Sequence, residues 1–156
     1  MEIDDGVIKY DNSLFKSTPS LDEIEYREIE IFRKKMFQLK LIGEYKKEQV
    51  GYGNISQRKD YRYIYKSLKP QFIISGTQTG KFSNLNGDHY SRVVDYDTKT
   101  NAIVAHGPIN ASSEALTHAA IYECSSLIKC VIHIHHTQIW QGMIEQDYSS
   151  THEDIP

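Results

Sequence analysis

The chain has 156 residues, enough for one domain around a single core. Its 18 Lys and Arg against 21 Asp and Glu leave a formal net charge of −3, which argues against duplex nucleic acid as a partner. No apolar run approaches the length of a membrane span, and two cysteines, Cys124 and Cys130, are too few for a secreted disulfide framework.

The opening "MEIDDGVIKYDNS" lacks the layout of a signal peptide, so a reduced, cytoplasmic setting is expected, with both cysteines as small buried apolar residues. Residues 1–19 are polar and irregular and read as a loosely attached N-terminal arm, with the domain proper over 20–156. In "SLDEIEYREIEIFRKKMFQLKLIG", Ser20 and Glu23 have capping-box spacing. Leu21, Ile24, Ile31, Phe32, Met36 and Leu39 recur at helical spacing, and Gly43 supplies a left-handed stop. A helix of about five to six turns follows.

"GYGNISQR" gathers two glycines and an Asn around a turn, and "YRYIYKS" has the Tyr/Ile content of a strand. "QFIISGTQTG" reads as a buried strand turning sharply at Gly76. "YSRVVDYDTKTNAIVAHGP" reads as two strands joined at "DTKTN". "ASSEALTHAAIYECS" predicts a second helix capped by Ser112 or Ser113, "CVIHIHHTQIW" a buried strand, and "GMIEQDYSSTHEDIP" a loop. Helices packed on a sheet result, as α+β or mixed α/β rather than a doubly wound parallel sheet.

Three histidines within four positions are unusual in a buried strand. Side chains alternate faces along a strand, so His133 and His135 share a face while His136 points away. Two imidazoles side by side suit half of a tetrahedral zinc site; a pair of hydrogen-bonded histidines lining a cleft suits the same spacing. In "GPINASSEALTH" the free N–H groups of a helix start make an anion pocket suited to phosphate. Glu114 sits at that start, either complementing the helix dipole or shuttling a proton. His118, one turn on, either orients Glu114 or is simply a helix-face histidine. "GNIS" and "SGTQTG" are turns in which backbone N–H groups can approach a phosphate, although neither is a P-loop and both suit ordinary turns.

The order "GNIS-x-R", "ISGTQTG", "SSEALTHAAIY", "VIHIHHTQIW" closely resembles the class II aldolase/adducin family over roughly residues 25–145. That family includes zinc-dependent fuculose-phosphate and rhamnulose-phosphate aldolases, a ribulose-phosphate epimerase and a methylthioribulose-phosphate dehydratase. The resemblance implies an α/β layered (α/β/α) domain around a largely antiparallel central sheet. It implies zinc, or another divalent metal, on His133 and His135, and Glu114 as the catalytic acid/base. It also implies that Asn54, Ser75, Gly76, Ser112 and Ser113 hold the substrate phosphate.

The activity so implied is retro-aldol cleavage of a ketose, a sugar or sugar phosphate, by a homo-oligomer that is usually a tetramer. Epimerase or dehydratase chemistry at the same site, and an adducin-like interaction module, are the alternatives. The sequence also departs from the pattern. Catalytic members carry a third zinc histidine further along in a His-Gly context, and this chain ends at "THEDIP" before that region, so a fragment lacking the last part of the family domain is expected. His106 and His152 do not match the missing position. Gly51 stands where several aldolases have a hydroxyl side chain.

Overall fold

A computed structural model describes residues 7–146. The elements in chain order are β1 (Lys16–Ser17), α1 (Glu23–Gln38), β2 (Gly43–Tyr45), β3 (Val50–Tyr52) and β4 (Asn54–Lys59). They continue with α2 (Arg62–Tyr65), β5 (Gln71–Ser75), β6 (Tyr90–Asp97) and β7 (Ala102–Gly107). The last are α3 (Ala115–Cys124), β8 (Cys130–His133) and α4 (Thr137–Glu145). Six strands form one sheet in the order β1-β7-β6-β5-β4-β8, antiparallel except for the β1–β7 pair. β2 and β3 make a separate hairpin. Among the described residues no helix is long and apolar enough to cross a membrane.

The strands expected from "QFIIS" and from the two arms around "DTKTN" form as read. β5 is buried throughout, and its alternation divides the core. Phe72 and Ile74 join Val93, Ala105, Ala115, Ala119 and Tyr122 in one cluster, while Ile73 joins Ile29, Ile55 and Tyr90 in another. The sheet thus carries α3 on one cluster and α1 on the other.

Several expectations are corrected. The arm is not loose from residue 10 onward. Tyr10 is buried and its hydroxyl donates to the Ala111 carbonyl, and β1 extends the sheet alongside β7. α1 has 16 residues, a little over four turns, and begins after Asp22 rather than Ser20, whose hydroxyl instead bonds the Asp88 carboxylate. Its left-handed exit falls at Lys40 (φ 59°), not Gly43, because Leu41 N–H already folds back to the Met36 carbonyl.

The buried face of α1 is also not the apolar stripe read from the sequence. Ile24, Ile31, Phe32 and Leu39 are exposed, whereas Arg33 is 1% exposed. Its guanidinium pairs with Glu30 at 2.7 Å and donates to the Phe82 and Ser83 carbonyls at 2.6 and 2.8 Å. "YRYIYKS" holds the one-turn helix α2 instead of a strand. Asp60 accepts the Arg62 N–H, a local bond that favours a turn over a ladder, and Tyr63 and Ile64 project into solvent. Both cysteines are exposed, against expectation, since Cys124 ends α3 and Cys130 lies on the edge strand.

Candidate active site

One end of the strands β4, β5 and β8 opens into a small polar cleft. The register creates it. Asn54 at the start of β4 lies directly opposite His133 at the end of β8. Gly53 makes that placement possible: it has φ +74°, and a Cβ there would stand 2.8 Å from Ile42 and 3.1 Å from the His133 carbonyl. Across the sheet, β5 ends at Gly76, which bridges to Ala111, and Thr77 N–H donates to the Asn110 carbonyl. Those bonds pull the start of α3 to the rim.

The cleft is lined by Asn54, Gly76, Ser112, Ser113, Glu114, His133 and His135, together with Gly51, Tyr52, Gly53 and Gln78. Ser75, predicted among the phosphate contacts, is set apart. It is 1% exposed, and its hydroxyl accepts the Ile55 N–H at 3.2 Å, behind the cleft wall. Gly51 lines the cleft, and a side chain there would press its Cβ to 2.7 Å from the Gln78 carbonyl oxygen, so the hydroxyl side chain expected from the resemblance does not fit this backbone. Asn54 is nearly buried and its Oδ1 has no hydrogen-bond partner among the described residues. Such an orphan acceptor in a cleft wall can take a hydrogen bond from a ligand donor.

Helix α3 starts later than expected. Glu114 is its N-cap residue, no side chain caps the first turn, and Ser112 Oγ accepts the Glu114 N–H at 3.4 Å. The Glu114 carboxylate accepts the Thr117 hydroxyl at 3.2 Å. His118 does not orient Glu114. It is buried, with Nδ1 2.6 Å from Ser56 Oγ, which in turn lies 2.8 Å from the Tyr122 hydroxyl. Burial, and then the charge of His133, lowers the His118 pKa to about 3.

The histidine stretch is not one buried strand. β8 is an edge strand that ends at His133, with Ile132 exposed, and α4 begins at Thr137 within the segment read as strand and tail. His136 is the N-cap of α4, its Nδ1 accepting the Ile139 N–H at 3.3 Å, so it stands apart from its neighbours. His135 follows the end of the ladder, and its N–H donates to the Leu41 carbonyl. Even so, the two rings converge: Nε2 of His133 lies 2.7 Å from Nε2 of His135.

That convergence fits two positions of a tetrahedral ion. Bonds of about 2.0–2.1 Å from one ion would set the nitrogens about 3.3 Å apart, an opening of about 0.6 Å. Among the described residues no group of three His, Cys, Asp and Glu side chains is placed to complete such a site. His106 sits on β7 against the Tyr65 ring, away from the cleft, and His152 lies outside the described residues.

Two residues of the site were not read from the sequence. Tyr45 Oη lies 2.7 Å from His135 Nδ1, and the Tyr52 ring stacks on His135 at 5.3 Å. Neither belongs to a recognisable motif; both come from the β2–β3 hairpin folding over the cleft.

A profile of the class II aldolase and adducin N-terminal domain matches residues 38–141, about two-thirds of the chain. The chain belongs to this family, and every residue lining the cleft falls inside the matched segment. Neither the curated proteins searched nor the solved structures searched gave a match.

Proposed function

We propose that this chain supplies the site of a divalent-metal-dependent, aldolase-type lyase that cleaves a ketose, with a sugar phosphate as its substrate class. The observation that carries the proposal is the convergence of Glu114, His133 and His135 with the polar turns of Asn54, Gly76 and Ser112–Ser113 on one cleft. His133 and His135 would hold the ion, zinc being the best match to paired imidazoles. A divalent ion bound there supplies Lewis-acid stabilisation of the negative charge that retro-aldol cleavage leaves on the ketose oxygens.

The chain's own groups do the rest. The free N–H groups at the start of α3, the Gly76 turn, Ser112, Ser113 and the Asn54 amide N–H would form a seat for a phosphate, with the Asn54 Oδ1 left to accept from a substrate hydroxyl. Its binding energy fixes the reacting end of the substrate. Glu114, at the same helix start, moves the proton at the reacting carbon or hydroxyl. Epimerisation or dehydration would use the same acid/base and the same seat. In this reading α1, the sheet and α3 form the α/β/α layers of the family, and the exposed apolar side chains of α1 support a homo-oligomer, a tetramer by resemblance.

An adducin-like, non-catalytic module is the second reading, favoured by one fact: the described residues offer two imidazoles and no third ligand. Zinc-loaded protein assayed for aldehyde release on a panel of phosphorylated ketoses separates the two. Glu114→Gln is expected to bind zinc as the wild type does and to lose turnover by about 100-fold or more. Full turnover in that variant removes Glu114 from the acid/base role, and no turnover of any panel member by the wild type favours the module.

A further inference from the structure

We propose that Tyr45 is a positioning residue whose hydroxyl holds His135 in the tautomer with the proton on Nδ1, leaving the Nε2 lone pair directed into the cleft. The inference rests on the metal-dependent reading of the cleft and adds a residue to it.

The backbone around His135 does little to orient the ring. The β8 ladder ends two residues earlier, and the His135 N–H bond to the Leu41 carbonyl fixes the main chain, not χ1 or χ2. Orientation comes from the side chains around it. Tyr45 Oη meets Nδ1 at 2.7 Å, the Tyr52 ring lies over the imidazole with an interplanar angle of 26°, and Tyr45 packs on Tyr52 at 4.7 Å. One tyrosine therefore grips an atom of the ring and the other covers its face.

Both tyrosines belong to a hairpin whose backbone packs closely against the segment around Gln78 and Gly80. A Cβ on Gly80 would stand 2.3 Å from the Tyr52 carbonyl oxygen and 2.9 Å from that of Gly43. A Cβ on Gly51 would stand 2.7 Å from the Gln78 carbonyl oxygen. Backbone lies directly on backbone along this seam, so the hairpin presents Tyr45 at a set height above the cleft.

The hydrogen-bond roles then follow. In a neutral imidazole one nitrogen donates and the other accepts. With Nδ1–H donating to Tyr45 Oη, His135 Nε2 is an acceptor, and in the metal-free protein the 2.7 Å contact is satisfied by a proton on His133 Nε2, which His133 gives up when that nitrogen ligates an ion. The reverse polarity puts a proton on His135 Nε2 and blocks it as a ligand. Outer partners that fix a ligating histidine in this way typically change metal affinity by about 10- to 100-fold when removed.

Tyr45→Phe tests this, since it removes the hydroxyl and keeps the ring stack. Zinc affinity is measured by competition with a chromophoric chelator. In parallel, ¹⁵N NMR of zinc-free protein reads the tautomer of His135, assigned by comparison with His135→Gln. The expected result is zinc binding weakened about 10- to 100-fold and a shift of His135 toward the Nε2–H form, with an unchanged urea midpoint. Equal zinc affinity, or an unchanged tautomer, overturns the role of Tyr45 and leaves the metal reading standing. Absence of zinc binding by the wild type overturns the metal reading instead, and the tautomer measurement then decides the hydroxyl's hold on His135 by itself.

Discussion

Lowering the pH from about 7.5 to about 5 is expected to destabilise the fold by about 2 kcal/mol through His118 alone. The side chain is 1% exposed, accepts or donates one bond at Nδ1, and has no partner at Nε2 among the described residues. Burial first, then the His133 charge, sets its folded pKa at about 3. An unfolded histidine has a pKa of about 6.5. Between those values the unfolded chain binds a proton that the folded chain refuses. Stability is therefore complete above about pH 6.5 and is lost as the pH falls toward 3.

Other groups separate cleanly. Asp11, Asp60 and Asp97 have lowered pKa values through hydrogen bonds to nearby N–H groups. Their stabilisation is present above about pH 4 and is lost only below it. His106, lowered by burial and then by Lys16 and Arg92, acts in the same sense as His118 but survives in a His118→Asn comparison. Urea unfolding of chelator-treated wild type and His118→Asn across this range is the assay. The two stability curves should converge by about 2 kcal/mol on acidification. Parallel curves would show that folding leaves the titration of His118 unchanged, which contradicts a buried imidazole that refuses its proton.

Arg33→Met should destabilise by about 3–5 kcal/mol in the same urea assay, because it leaves Glu30 and two carbonyls without their buried cation; a loss below about 1 kcal/mol would contradict this. Gly80→Ala should lift the β2–β3 hairpin and weaken zinc binding along with stability, since its Cβ meets the Tyr52 carbonyl at 2.3 Å; wild-type values for both would show slack in the seam. Ser75→Ala should cost about 1 kcal/mol of stability while leaving inorganic phosphate affinity, read by calorimetry, unchanged. A large fall in that affinity would return Ser75 to the phosphate seat.

What could be read from the sequence is what local pattern determines. "QFIIS" is apolar at every position but its ends and became the central buried strand; the hairpin around "DTKTN" carried its own turn. Asn54, Gly76, Ser112, Ser113 and Glu114 were legible because each lies at a turn or helix start whose chemistry is short-range. Failures came where a partner distant in sequence decided. Nothing near Arg33 announces that Phe82 and Ser83 carbonyls will receive it, so the exposed Ile24 and Phe32 looked like the buried face.

The histidine stretch failed differently. His136 breaks the strand by capping a helix with its own ring, a role normally taken by Ser, Thr, Asp or Asn. Tyr45 was invisible for a third reason: its place beside His135 depends on the whole hairpin docking through Gly51 and Gly80, with no motif of its own.

Metal content tests the central claim most directly. Wild-type protein supplied with zinc, dialysed and analysed by elemental mass spectrometry should retain one zinc per chain, and His133→Ala/His135→Ala should retain none. Wild-type protein without bound zinc, or a double variant that keeps it, would contradict the assignment of these two histidines as the metal-facing pair of an aldolase-type site.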